Sequence, residues 1–108
     1  MKDDKFREAL NTFIEEYGIE EEILLLEDHA YDYSIVGLTA DYRLVYDFDK
    51  MVEEFMEDEN CTELEAIEWL EYNTMRALPY MGERAPVVLK HSRDMILEFG
   101  EENSYEVL

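Results

Sequence analysis

Residues 33–48, YSIVGLTADYRLVYDF, restrict the possible folds of this chain more than any other stretch. Two runs rich in β-branched and aromatic residues, 33–38 and 42–48, are joined by Thr39, Ala40 and Asp41, a pattern that predicts a β-hairpin. Alternation along the second run sends Leu44, Tyr46 and Phe48 to one face and Arg43, Val45 and Asp47 to the other. Gly37 marks a bulge or a close backbone approach. The apolar face of such a sheet has to be buried against another layer, and the flanking sequence offers helices to do it.

The first of these spans 3–17. Phe6, Leu10, Phe13, Ile14 and Tyr17 form one helical stripe, closed by Gly18 as C-cap. After the hairpin, Asp49 is placed to cap a helix reaching about residue 59, with Val52, Phe55 and Met56 turned inward and Asn60 ending it. TELE at 62–65 has the spacing of a capping box and opens a helix that runs to Leu78, just before Pro79. On that helix Ala66, Ile67, Leu70, Thr74, Ala77 and Leu78 make the inner arc. VVLK at 87–90 reads as a third strand after Pro86, and SRDMILEF as a last short helix closed by Gly100, with 101–108 frayed. Ile23–Leu26 fits a short strand or a helical turn equally well. The expected class is α+β: one domain over 1–108, a small antiparallel sheet of hairpin plus one later strand, and three or four helices packed on one face.

Charge bounds the function. With 29 acidic against 9 basic residues the formal net charge is −20, far beyond the magnitude of about 2–8 that suits a small domain. Direct contact with nucleic acid or an anionic membrane is therefore disfavoured, and a basic protein surface becomes the natural partner. No apolar run approaches the roughly 20 residues that span a bilayer. One cysteine permits no internal disulfide, and the N-terminal residues lack the apolar core of a signal peptide. A cytoplasmic protein is expected.

Enzymatic chemistry has little to stand on. His29 and His91, the two histidines, lie in separate segments, and the four glycines are isolated, so no phosphate loop exists. Cys61 precedes a helix, but Glu59, Glu63 and Glu65 oppose ionisation of its thiol. His29 stands near Asp28 and Asp32, a set able to hold a divalent metal, without the spacing of a zinc site or an EF-hand. The expectation is no catalytic residue, no cofactor and no metal.

Binding surfaces are easier to find. Between Asp49 and Glu71 there are ten carboxylates against one cation, Lys50. Carboxylates three or four residues apart on a helix lie about 5–6 Å from one another, close to the spacing of phosphates along a nucleic-acid strand. Glu53, Glu54, Glu57, Asp58, Glu65, Glu68 and Glu71 are the candidate acidic face. A second candidate patch is Trp69, Tyr72, Arg76 and Tyr80, residue types favoured at interface hot spots, with Arg76 one turn from Tyr72 and able to stack on it. The bland alternative has Asn73 and Arg76 tying down the loop 79–86 through its carbonyls.

Residues 43–89 carry the patterns YDFDKMVEE and AIEWLEYNTMRALPYMG followed by AP. In these the chain resembles a group of small acidic proteins of bacteria and their prophages and other mobile elements. The resemblance brings no catalytic residues with it; it implies a small cytoplasmic protein of a mobile element. Catalytically bare acidic proteins of that kind include anti-restriction and anti-CRISPR inhibitors that imitate nucleic acid. The leading expectation is thus a non-enzymatic protein that docks its acidic helices on a basic, nucleic-acid-binding host protein such as a defence nuclease. A homodimeric structural or regulatory module, joined through the hairpin or the aromatic–Arg patch, is the second. A metal-dependent enzyme using His29 and Asp32 is the third.

Overall fold

The computed structural model describes residues 1–103. Its elements in order are α1 (Asp4–Tyr17), a 3₁₀ turn (Asp32–Ser34), β1 (Ile35–Leu38), β2 (Leu44–Asp47), α2 (Phe48–Glu59) and α3 (Glu63–Trp69). A π-helical stretch (Leu70–Met75), a second 3₁₀ turn (Leu78–Met81), β3 (Val87–Leu89) and α4 (Arg93–Glu102) complete it. The expected α+β class is what forms. No helix among the described residues is long and apolar enough to cross a membrane.

The hairpin pairs antiparallel, with Ile35 opposite Tyr46 and Leu38 opposite Leu44, and an irregularity between Ile35 and Gly37 marks the bulge. The sheet itself is mixed: β3 runs parallel to β2, with Val45 opposite Val87 and Asp47 opposite Leu89, where an antiparallel strand was expected. The reason lies in the connection. Two helices separate β2 from β3, and a crossover of that length returns the chain in the original direction.

β2 passes into α2 without a linker, so Asp47 takes the cap position expected of Asp49; its carboxylate accepts from the Lys50 N–H at 3.3 Å. Asp49 instead lies in the first turn, where a negative charge suits the helix dipole. The Gly18, Asn60 and Thr62 caps form as read. Gly18 is left-handed at φ 64°, Asn60 at φ 50°, and Thr62 and Glu65 complete the reciprocal capping box. α4 runs through Gly100 to Glu102, past its expected stop, so 101 and 102 are helical; 104–108 lie outside the described residues. Ile23–Leu26 is neither strand nor helix.

Leu44 and Tyr46 of β2 anchor the core together with Phe48, Met51, Val52 and Phe55; Phe48, expected on the strand face, is instead the first residue of α2. Leu10, Leu26, Tyr31, Ala66 and Leu70 close it. The Tyr46 hydroxyl, fully buried, accepts from the Leu26 N–H at 2.9 Å, which fastens the irregular 19–31 segment to the sheet. Burial pushes the Tyr46 phenol up to about 12, more than the Leu26 hydrogen bond lowers it.

The helix from Glu63 onward departs most from expectation. In a π turn each hydrogen bond spans one more residue, so every later side chain slips by one position, about 100° around the axis. Met75 therefore packs on the core beside Leu78, which was expected there, while Ala77, also expected on the inner arc, is exposed.

Candidate functional site

Helical spacing on α2 and α3 determines which carboxylates reach solvent. Glu53 and Glu57, one turn apart on α2, and Glu68 on α3 are exposed and form no ion pair or side-chain hydrogen bond among the described residues. The other four of the acidic face are engaged. Glu54 turns inward, accepting from Ser34 Oγ at 2.7 Å and from the Met1 ammonium at 3.2 Å. Asp58 Oδ2 lies 3.3 Å from His29 Nε2 and 3.6 Å from the same ammonium. Glu65 caps Thr62; hydrogen bonds from the Thr62 backbone and then its hydroxyl hold its carboxyl below the usual range. Glu71 pairs with Lys90.

The aromatic–Arg patch assembles on the next turns of the same helix. The Arg76 guanidinium lies over the Tyr72 ring, 4.8 Å from its centroid, as the one-turn spacing predicts. Tyr72 is 69% and Tyr80 92% exposed, values that leave their rings uncommitted to the core. Trp69 is half covered, stacked on Phe55 with centroids 4.7 Å apart. Neither Asn73 nor Arg76 anchors the loop 79–86. Asn73 Nδ2 donates back to the Trp69 carbonyl, and the loop is held by Arg84, whose guanidinium donates to the carbonyls of Glu22 at 3.1 Å and Tyr42 at 2.9 Å.

Behind Trp69 lies a cavity of about 360 Å³. One wall comes from the 25–31 segment, with Leu26, His29 and Tyr31; the other comes from α3 and the π stretch, with Trp69, Asn73 and Thr74. The His29 ring packs against Tyr31, Phe55 and Trp69 at centroid distances of 4.7, 5.4 and 6.4 Å. Its Nε2 approaches Asp58 without the alignment of a hydrogen bond. Tyr31 is 1% exposed, and its hydroxyl has no hydrogen-bond partner among the described residues. Burial raises the Tyr31 phenol well above the ordinary tyrosine value; the nearby Thr74 hydroxyl opposes this in part without completing a hydrogen bond, and Glu54, Asp58 and Glu59 add to it.

The proposed metal set is drawn apart. Asp32 is buried and faces Arg7, not His29: Arg7 Nε and Nη2 donate to its two oxygens at 2.6 and 3.0 Å, and the Asp3 N–H donates at 2.7 Å. Among the described residues no three His, Cys, Asp or Glu side chains converge as metal ligands would. Desolvation, then Glu65 and Glu59, holds the Cys61 thiol above its ordinary value, which makes it a poor nucleophile.

The sequence reading missed Tyr31 and Arg84. Tyr31 sits in a segment without periodicity, and Arg84 bonds carbonyls far away in the chain, so neither carried a local signal. Comparison with protein-family models, curated proteins and solved structures gives no match.

Proposed function

We propose that the protein is a non-enzymatic binding module that docks the α2–α3 face on a basic protein surface. The observation that carries this reading is continuity: the free carboxylate of Glu68 is followed on successive turns by Tyr72 and Arg76, with Trp69 and Tyr80 exposed alongside. Exposed rings with a stacked arginine supply hot-spot chemistry, while Glu53, Glu57 and a net charge of −20 supply steering. The partner class is a cytoplasmic nucleic-acid-binding protein, such as a host defence nuclease, whose phosphate-binding groove the carboxylates would occupy.

The test is surface-plasmon-resonance binding to purified host nucleases at about 50 and 300 mM salt. Charge reversal of Glu57 and Glu68 should slow association, and Tyr72→Ala should speed dissociation. Binding indifferent to both salt and charge reversal would sink the mimicry.

A second reading, a homodimeric structural or regulatory module, is favoured by α4. That helix buries none of its residues and exposes Ile96, Leu97 and Phe99. The radius of gyration, 15.7 Å, exceeds the roughly 13 Å of a domain this long. An apolar groove of about 370 Å³ between α1 and the hairpin, lined by Phe6, Phe13 and Val36, is of a kind to receive such a helix. Light-scattering mass decides it: a dimer that Ile96→Asp dissociates supports this reading, and a monomer at 100 µM (about that concentration) excludes it.

A further inference from the structure

In a chain of net charge −20, the groove between α1 and the hairpin is lined by uncharged residues alone, among them Phe6, Phe13 and Val36. Two copies of such a chain repel each other over most of their surfaces, so a lining without carboxylates is where a second copy can approach most closely. The matching protrusion is α4. It buries none of its residues, and Ile96, Leu97 and Phe99 stay 60, 48 and 59% exposed.

Those three side chains present about 300 Å² of apolar surface, at roughly 200 Å² for each when bare. A groove that seats them loses a similar area. Two such contacts, one in each direction, remove about 1,200 Å² and pass the roughly 1,000 Å² that a specific interface needs. A single contact would fall short, and repeated head to tail it would build an open chain instead of a closed pair.

Charge at the rims sets the direction. On α1, Lys5 and Glu16 are 11 positions apart, which brings the helix round to within about 20° of the same bearing. Both therefore flank the groove on the side of Ala9, with the cation towards the helix start and the carboxylate towards its end. On α4, Arg93, Leu97 and Glu101 follow one another at one-turn intervals beside Ile96, again with the cation first and the carboxylate last. All four charged side chains are exposed. None forms an ion pair among the described residues, although the chain has 29 acidic groups to offer the two cations. The rims span about 16 and 12 Å along their helices, a difference that long side chains bridge. Only an antiparallel seating sets each cation against a carboxylate. A parallel one sets Lys5 beside Arg93 and Glu16 beside Glu101.

We propose that two copies close into a two-fold dimer by exchanging α4. Each α4 lies antiparallel to α1 of the other copy, with Ile96 and Phe99 in the groove, Glu101 facing Lys5 and Arg93 facing Glu16. This arrangement rests on the homodimeric reading; which surfaces meet, and in which direction, is what it adds.

Sedimentation equilibrium of the full chain at about 150 mM salt, where the screening length is about 8 Å, gives the dimer Kd. Ile96→Asp and Val36→Asp, at exposed positions on the two halves of the contact, should each leave a monomer. Should Val36→Asp fail to fold, Ile96→Asp still decides, since α4 buries nothing. Glu101→Lys reduces the net negative charge and would tighten a dimer opposed by repulsion alone. Here it should raise Kd about fivefold, because each dimer loses two rim pairs. Lys5→Glu should weaken the dimer as well. The two together keep the net charge at −20 and should return Kd to within about twofold of the parent. A monomer up to about 100 µM removes the homodimeric reading and the exchange with it. The exchange alone is overturned by a dimer that survives Ile96→Asp, that Glu101→Lys tightens or that the double variant fails to restore, and by an assembly that grows beyond two copies.

Discussion

Arg7 and Asp32 hold each other at two points, Nε to Oδ2 at 2.6 Å and Nη2 to Oδ1 at 3.0 Å, across 25 positions of chain. The pair ties α1 to the start of the hairpin. The Asp32 side chain is fully buried, and the Asp3 N–H fills another of its lone pairs. Removing one partner of such a pair strands the other charge. Asp32→Asn should cost about 3 kcal/mol, the low end of the range, because Arg7 keeps Glu27 and some solvent. Thermal unfolding followed by circular dichroism should show a fall of roughly 15 °C; a fall below about 4 °C would mean that the pair contributes little.

The same pair sets an acid limit. Burial pushes the Asp32 carboxyl up, but the Arg7 and Asp3 hydrogen bonds and the Arg7 charge outweigh it, and its folded value lies below the ordinary one. The unfolded chain therefore binds this proton more readily. The stabilisation is fully present above the unfolded value of about 3.9 and is lost as pH falls through the folded value. Urea midpoints of the parent and of Asp32→Asn should differ by a constant amount above about pH 5 and converge below about pH 4. A gap unchanged at pH 3 would remove Asp32 as its source.

Tyr46→Phe deletes one buried oxygen and leaves the Leu26 N–H without its acceptor. About 1–3 kcal/mol should be lost, read from the urea midpoint. In the parent, the raised phenol value means that its contribution holds below the unfolded value of about 10 and is lost as pH rises towards about 12. The alkaline midpoint of the variant should lack that last drop.

Arg84 joins the carbonyls of Glu22 and Tyr42, the latter in a left-handed turn at φ 60°. Arg84→Lys has no planar fork to serve two acceptors at once. It should cost about 1 kcal/mol, and amide exchange should quicken in residues 19–26 and 39–43 while α2 stays protected. Uniform acceleration throughout the chain would point to global instability instead.

Repulsion among exposed carboxylates opposes the fold even where each is solvated. Raising sodium chloride from about 50 to 500 mM should increase the melting temperature by roughly 5 °C, since salt shortens the range of repulsion among exposed carboxylates such as Glu53, Glu57 and Glu68. Glu57→Lys with Glu68→Lys should shrink that salt response. A larger response in the double variant would contradict the account.

Local chemistry was what the sequence made legible. The hairpin pairing, the Gly18 and Asn60 caps and the Thr62–Glu65 box depend on neighbours within a few residues and formed as read, although the strands are shorter than expected, with Tyr33 and Ser34 in a 3₁₀ turn, Phe48 in α2 and Asp47 buried. The direction of β3 depends on where two helices deliver the chain, which periodicity does not encode. The phase of Ala77 was lost because residues 70–75 leave the regular α repeat, so a wheel drawn at constant pitch misplaces whatever follows. The acidic face was half legible. Its members were all on the expected helices, but whether Glu54 faced solvent or Ser34 turned on a contact between distant segments. Arg76 stacking on Tyr72 was readable because one turn separates them; the cavity was not, because its walls are about forty residues apart.

The π stretch makes this helix a vernier between chain length and side-chain phase. Were residues 70–75 to return to regular α hydrogen bonding at the same length, every later side chain would turn by about 100°, and Met75 would leave the core. Elsewhere a single deletion on a surface loop changes little. Here a gap of one residue within 70–74 would do the opposite of what a deletion does in a regular helix: it would straighten the hydrogen bonding and leave Met75 and Leu78 on the core, so the π stretch holds one residue in reserve.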